Sequence, residues 1–108
     1  PDVVGWRRER VPERPMGIPV TLIPDWICEI LSSNRATDLV DKMSLYHQAA
    51  VPHYWIIDPE AETLTVYRWH TDGYIHLLGA RRSERVRAEP FQAMVLPVGA
   101  FFGDDDDD

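Results

Sequence analysis

A mixed β-sheet with one helix packed on it, an α/β (α+β) domain, is the fold class that the sequence predicts. Three observations carry it. Short runs rich in β-branched and aromatic residues recur along the chain, whereas one stretch, Thr37 to Ala50, switches to helical periodicity. That stretch lies between strands, which gives the order strand, strand, helix, strand, strand, strand. No glycine-rich phosphate loop is present, and this separates the pattern from a doubly wound nucleotide fold.

The first strand is expected at Asp2-Val3-Val4-Gly5-Trp6, giving way to an exposed Arg- and Pro-rich loop from Arg7 to Pro15. A second strand lies within Ile18 to Leu31. Pro24 interrupts it, so its continuous part is Asp25 to Leu31. Ser32-Ser33-Asn34 ends the strand and offers helix N-caps. In the helix, Leu39, Met43, Tyr46 and Ala50 share a face opposite Asp41, Ser44 and Gln48, with Asp38 suited to the first turn and Pro52 as the stop. His53 to Ile57 and Thr63 to Trp69 make a hairpin around Asp58-Pro59, where Asp58 serves the turn. Thr71-Asp72-Gly73 turns into a strand at Tyr74 to Leu78, and Phe91 to Phe102 holds a short strand or helical turn.

The 108 residues, 44% of them hydrophobic, are the size of one small domain, expected over residues 1–103 and followed by an acidic disordered tail at residues 104–108. No run approaches the roughly 18 apolar residues of a membrane span and no leader pattern opens the chain, so the expected location is cytoplasmic. The single cysteine, Cys28, has no ligand-spaced neighbour and is expected to be a small core residue. The net charge of -7 is mostly the terminal aspartates; without them 13 acidic face 11 basic residues. Arginines bunch at Arg7, Arg8, Arg10 and Arg14 and again at Arg81, Arg82, Arg85 and Arg87, which suits either phosphate contact or solvated loops.

The carboxylate Glu29 stands out because it interrupts the apolar run Trp26-Ile27-Cys28 and Ile30-Leu31, and a buried carboxylate is costly without a partner. Strand alternation puts Asp25, Ile27, Glu29 and Leu31 on one face. Asp25 and Glu29 are then roughly 13 Å apart at about 3.3 Å per residue, too far to share an ion; Asp25 is expected to cap the strand start. A second oxygen ligand must come from another segment. Asp2, heading the preceding strand, can lie across from Glu29, and the main-chain carbonyl of Ile30 can add a third oxygen. On the helical wheel Lys42 falls inside the apolar arc, where a buried cation wants an anion, and the helix can fold back to bring it to Glu29. Tyr46, one turn on, is expected to pack against Lys42.

"PDVV", "PDWICEILS" and "DLVDKMSLYHQAAVPHYWIIDPEAETLTVYR" together resemble the Uma-two family of restriction endonucleases in the PD-(D/E)XK nuclease superfamily, over Pro1 to about Arg68. The resemblance implies a restriction-endonuclease-like core in which Asp2 and Glu29 are the motif acids, with Ile30, holding Mg²⁺ or Mn²⁺. Lys42 is implied as the catalytic lysine, relocated to the helix, since Leu31 occupies its usual place two residues after the acid. It also implies DNA as partner and bacterial origin, with a homodimer possible. Two departures are expected against the family pattern: "LSSN" lacks the proline usual after the first serine, and Pro1 is expected to follow a cut that leaves out the upstream helix and strand of the family, with a further acidic residue.

Two other classes stay open. One is a catalytically silent DNA-binding or dimerisation module; the other is a protein in which Glu29 and Lys42 form only a structural ion pair. His47, His53, His70 and His76 are scattered and expected to be surface or packing residues. Trp26, Trp55, Trp69, Tyr54 and Tyr67 are expected to build core rather than stack on bases.

Overall fold

The structure, a computed structural model, describes residues 2–10, 22–32 and 35–104, with only the backbone considered for 35–38. Five strands form one sheet in sequence order: β1 (Val3–Gly5), β2 (Trp26–Ile30), β3 (His53–Asp58), β4 (Thr63–Arg68) and β5 (Ile75–Arg81). β2 and β3 run parallel and every other pair is antiparallel. Parallel neighbours need a crossover, and helix α1 (Arg35–Gln48) supplies it. The mixed sheet with one packed helix is the α+β fold the sequence predicts.

Alternation along the strands divides the core. Ile27, Tyr54 and Ile56 meet Tyr46 and Val51 on the helix side, joined by Leu39, Met43 and Ala49. Cys28, Trp55, Ile57, Leu64, Val66 and Ala80 face the other way. There they are covered by a two-stranded ribbon, β6 (Arg85–Val86) and β7 (Leu96–Pro97), and a 3-10 turn, Val98–Phe102, which contribute Ala88, Val98, Val86, Leu96 and Phe102. The ribbon strands are two residues each, too short for a periodic signal. β5 runs on to Arg81, past the expected Leu78, because Gly79 and Ala80 continue the ladder opposite Thr65 and Leu64. Trp26 and Trp55 sit edge to face at 5.2 Å, and Tyr54 and Tyr67 stack at 6.0 Å, so these rings build core as expected.

Turn chemistry also follows the residues. Asp58 Oδ1 accepts the amides of Glu60 and Ala61, closing the β3–β4 turn. Helix α1 ends in a Schellman motif: the Val51 amide donates to the Tyr46 carbonyl and the Ala50 amide to the His47 carbonyl. Ala50 takes the left-handed conformation, φ 57°, that glycine fills more easily. Val51 and Tyr46 meet in the core, which is the apolar contact that accompanies this motif.

Among the described residues, Arg10, Arg82 and Arg87 of the arginine clusters are committed to folding contacts. Arg10 pairs with Asp25 and donates to the Ile23 carbonyl. Arg82 pairs with Glu62 and Asp104, and Arg87 donates to the carbonyls of Gln92 and Ala93. Asp104, expected in the disordered tail, is therefore held by the Arg82 guanidinium; residues 105–108 lie outside the described residues, as do Ile18 to Thr21, Arg14, Ser33 and Asn34. Among the described residues no helix is long and apolar enough to cross a membrane.

Two outcomes follow from this framework. Ala50→Gly is expected to raise unfolding stability by about 1 kcal/mol, read from urea denaturation, by relieving the left-handed alanine. His53 lies beside Glu89 and Arg68; burial, the largest effect, holds its imidazole below its ordinary pKa, with the Arg7 and Arg68 charges in the same direction and Glu89 opposed. As pH falls, the unfolded chain therefore takes up this proton first. The contribution is complete above about pH 6.5 and is lost below it, toward the lower native value. Wild type should lose more of its urea midpoint than His53→Gln between about pH 7.5 and about pH 5.5; equal losses would refute the assignment.

Candidate active site

Glu29 is 3% exposed, on the helix-facing side of β2. A carboxylate there needs donors, and α1 brings two. Lys42 Nζ lies 2.7 Å from Glu29 Oε2, and the Tyr46 hydroxyl donates to Oε1 at 3.3 Å. Residues four apart on a helix share a face, so the two donors descend on the carboxylate together. The sequence placed Lys42 against Glu29 but gave Tyr46 only a packing role beside the lysine; its hydroxyl reaches the carboxylate itself. The signal available was its spacing from Lys42.

The Lys42 side chain keeps 35% of its exposure, whereas that of Glu29 keeps 4%. The anion is sealed and the cation can still reach water, because the lysine stem lies along the apolar face while the ammonium sits at its edge.

Asp2 arrives from β1. The antiparallel register pairs Val3 with Cys28, so one further step sets Asp2 opposite Glu29. Its Oδ2 accepts the amide of Ile30 at 2.7 Å, extending the edge of β2 where the β1 ladder stops. A residue's own N–H and C=O lie on the same edge of an antiparallel strand, so the Ile30 carbonyl also faces the Asp2 side. Asp2 and Glu29 both act on Cys28. Burial first, then the negative charges of Asp2 and Glu29, push the Cys28 thiol up to about 12.

Two carboxylates thus stand on adjacent strands, and the Ile30 amide bonds one of them. Among the described residues no group of three or more His, Cys, Asp or Glu side chains could hold a metal ion. All-oxygen ligands with one or two carboxylates suit Mg²⁺ or Mn²⁺, which complete their shells with water and phosphate oxygens, and the residues present fit such an ion.

The remaining candidates lie elsewhere. Asp25, at the opposite end of β2, is 8% exposed and accepts the Arg7 amide at 2.7 Å, with Arg10 Nε at 3.3 Å. It ties the loop after β1 to the start of β2. His47 stacks on Trp69 at 5.4 Å and His76 packs edge-on against Tyr67 at 5.7 Å, while His70 lies by Asp72 in the turn before β5.

The family model of Uma2, described as "Putative restriction endonuclease", matches residues 1–99. In structure the chain is similar to a protein from Anabaena variabilis, described as "a putative nuclease belonging to DUF820", with a TM-score of 0.54 and 23% sequence identity. That likeness concerns the fold. It covers 75% of this chain and 45% of the other, so the chain spans less than half of that protein. No curated protein matches the sequence.

The asymmetry of burial orders two substitutions. Lys42→Ala strands a buried anion with Tyr46 still bonded and should cost roughly 1–3 kcal/mol, below the roughly 3–5 of a fully buried pair. Glu29→Gln leaves a lysine whose side chain already reaches water and should cost under about 1 kcal/mol. Urea denaturation reads both; the reverse order would contradict the pairing described.

Proposed function

The chain belongs to the Uma2 restriction-endonuclease family, and from that premise we propose that it carries the centre of a Mg²⁺- or Mn²⁺-dependent nuclease that hydrolyses DNA phosphodiester bonds. The observation that carries this reading is the meeting of Glu29, Lys42 and the strand bearing Asp2 at one end of β2.

In this reading Asp2, Glu29 and the Ile30 carbonyl hold the ion. When bound, it neutralises phosphate charge and lowers the pKa of water. A carboxylate has about four acceptor positions, so the bonds from Lys42 and Tyr46 do not by themselves fill it. Lys42 is the residue that can move. Its flexible stem lets the partly exposed ammonium turn from Glu29 toward a phosphate, where it orients the attacking water or stabilises the charge that develops on the phosphoryl oxygens. The attacking water gives up a proton to solvent as its oxygen bonds to phosphorus, the bond to one ester oxygen breaks, and that oxygen leaves with a proton from solvent.

A second reading is favoured by the same ion pair. Lys42 and Tyr46 already compensate the buried carboxylate, so the centre can serve as a structural clamp in a silent DNA-binding or dimerisation module.

Calorimetric titration with Mn²⁺ separates the two. A nuclease centre should bind the ion, and Asp2→Asn and Glu29→Gln should each weaken binding by more than the roughly 10–100-fold typical of outer partners. A plasmid-nicking assay on Lys42→Met should show a rate about 10²–10³-fold lower, with Mn²⁺ affinity nearly retained. Absence of Mn²⁺ binding by wild type would favour the clamp, and unimpaired nicking by Lys42→Met would remove the lysine from the reaction.

A further inference from the structure

We propose that Tyr46 is a positioning residue of this centre, holding the Glu29 carboxylate in its ligating orientation when Lys42 leaves it for the phosphate. The inference rests on the nuclease reading above and concerns a residue to which that reading gives no part.

The two donors on Glu29 differ in freedom. Lys42 is one-third exposed on a four-carbon stem, whereas Tyr46 is 6% exposed. The Tyr46 ring meets Tyr54 edge to face at 5.4 Å, and Tyr54 in turn contacts Tyr74 at 5.4 Å and Tyr67 at 6.0 Å. Tyr54 has no exposure at all, so the ring against which Tyr46 leans is itself fixed. The backbone is fixed as well, because the Tyr46 carbonyl accepts the Val51 amide where the helix ends, and Tyr74 donates to the Val51 carbonyl at 2.8 Å. The phenol is therefore held where its hydroxyl reaches Glu29 Oε1.

This arrangement divides two tasks that one cation cannot perform at once. If Lys42 acts on the phosphate, its bond to Oε2 is given up, and the carboxylate loses its cationic anchor at the moment its orientation matters. Tyr46 prevents this without adding charge. A neutral donor leaves the carboxylate anionic and available to a divalent ion, whereas a second fixed cation would compete with that ion for it. Partners of this kind typically change metal affinity by roughly 10–100-fold when removed.

The test compares Tyr46→Phe with Tyr74→Phe, using Mn²⁺ as the probe and calorimetry and thermal melting of the metal-free chain as readouts. Both variants lose one hydroxyl from the same aromatic cluster, and Tyr74 touches Val51 rather than Glu29. The expected result is a fall of roughly 10-fold or more in Mn²⁺ affinity for Tyr46→Phe alone, with both variants still folded. Wild-type affinity in Tyr46→Phe would overturn the positioning role and leave the nuclease reading standing. An equal fall in Tyr74→Phe would also overturn it, by showing that the effect belongs to the cluster. Failure of wild type to bind Mn²⁺ would overturn both.

Discussion

A carboxylate inside a sheet must be compensated, and the fold around β2 can be understood as the means of doing so. Glu29 is nearly sealed from water, so its charge would be costly to bury without the ammonium of Lys42 and the phenol of Tyr46. Those groups come from a helix that must lie across β2 with a fixed rotation about its own axis. The parallel pairing of β2 with β3 makes a crossover necessary, and the Schellman ending at Ala50 and Val51 sets where it stops. Packing supplies the attraction between helix and sheet, while the polar triad selects one rotation from the several that the apolar face would allow.

The two faces of the sheet have different duties. Toward the ribbon, Cys28, Trp55, Leu64 and Val66 form an apolar layer that includes the raised thiol. Toward the helix, aromatic rings carry hydroxyls, and burial, followed by the charge of Glu29, raises the Tyr54 phenol above its ordinary range. The first face supplies stability by area; the second holds a charge in place. Among the described residues, three of the arginines that suggest phosphate contact in the sequence are engaged in closing loops, Arg10 on Asp25, Arg82 on Glu62 and Asp104, and Arg87 on the Gln92 and Ala93 carbonyls. Electrostatic attraction for nucleic acid thus does not follow from counting them.

What was legible in the sequence was periodic. The two-residue repeat of β2 put Glu29 on the face of Ile27, and the helical wheel put Lys42 in the apolar arc, so their meeting followed from two local patterns and one short connection. Asp2 was legible because consecutive strands tend to pair. The Tyr46 hydroxyl was not, since sequence spacing shows that a tyrosine faces the sheet but not which oxygen its short reach will find. The partners of Arg82 are distant in sequence, and several acids were equally available. The ribbon strands are too brief to impose a repeat.

The first strand joins β2 through three residue pairs, whereas β2 joins β3 through five. The two acids consequently belong to parts of unequal anchorage: Glu29 is on an interior strand paired on both edges, and Asp2 lies at the sheet margin with a side-chain bond to Ile30. Peeling that margin away would split the centre in half while the hydrophobic layers stayed closed. In the proposed nuclease reading, loss of chemistry would then be uncoupled from loss of shape, and a frayed molecule would keep its fold without its centre.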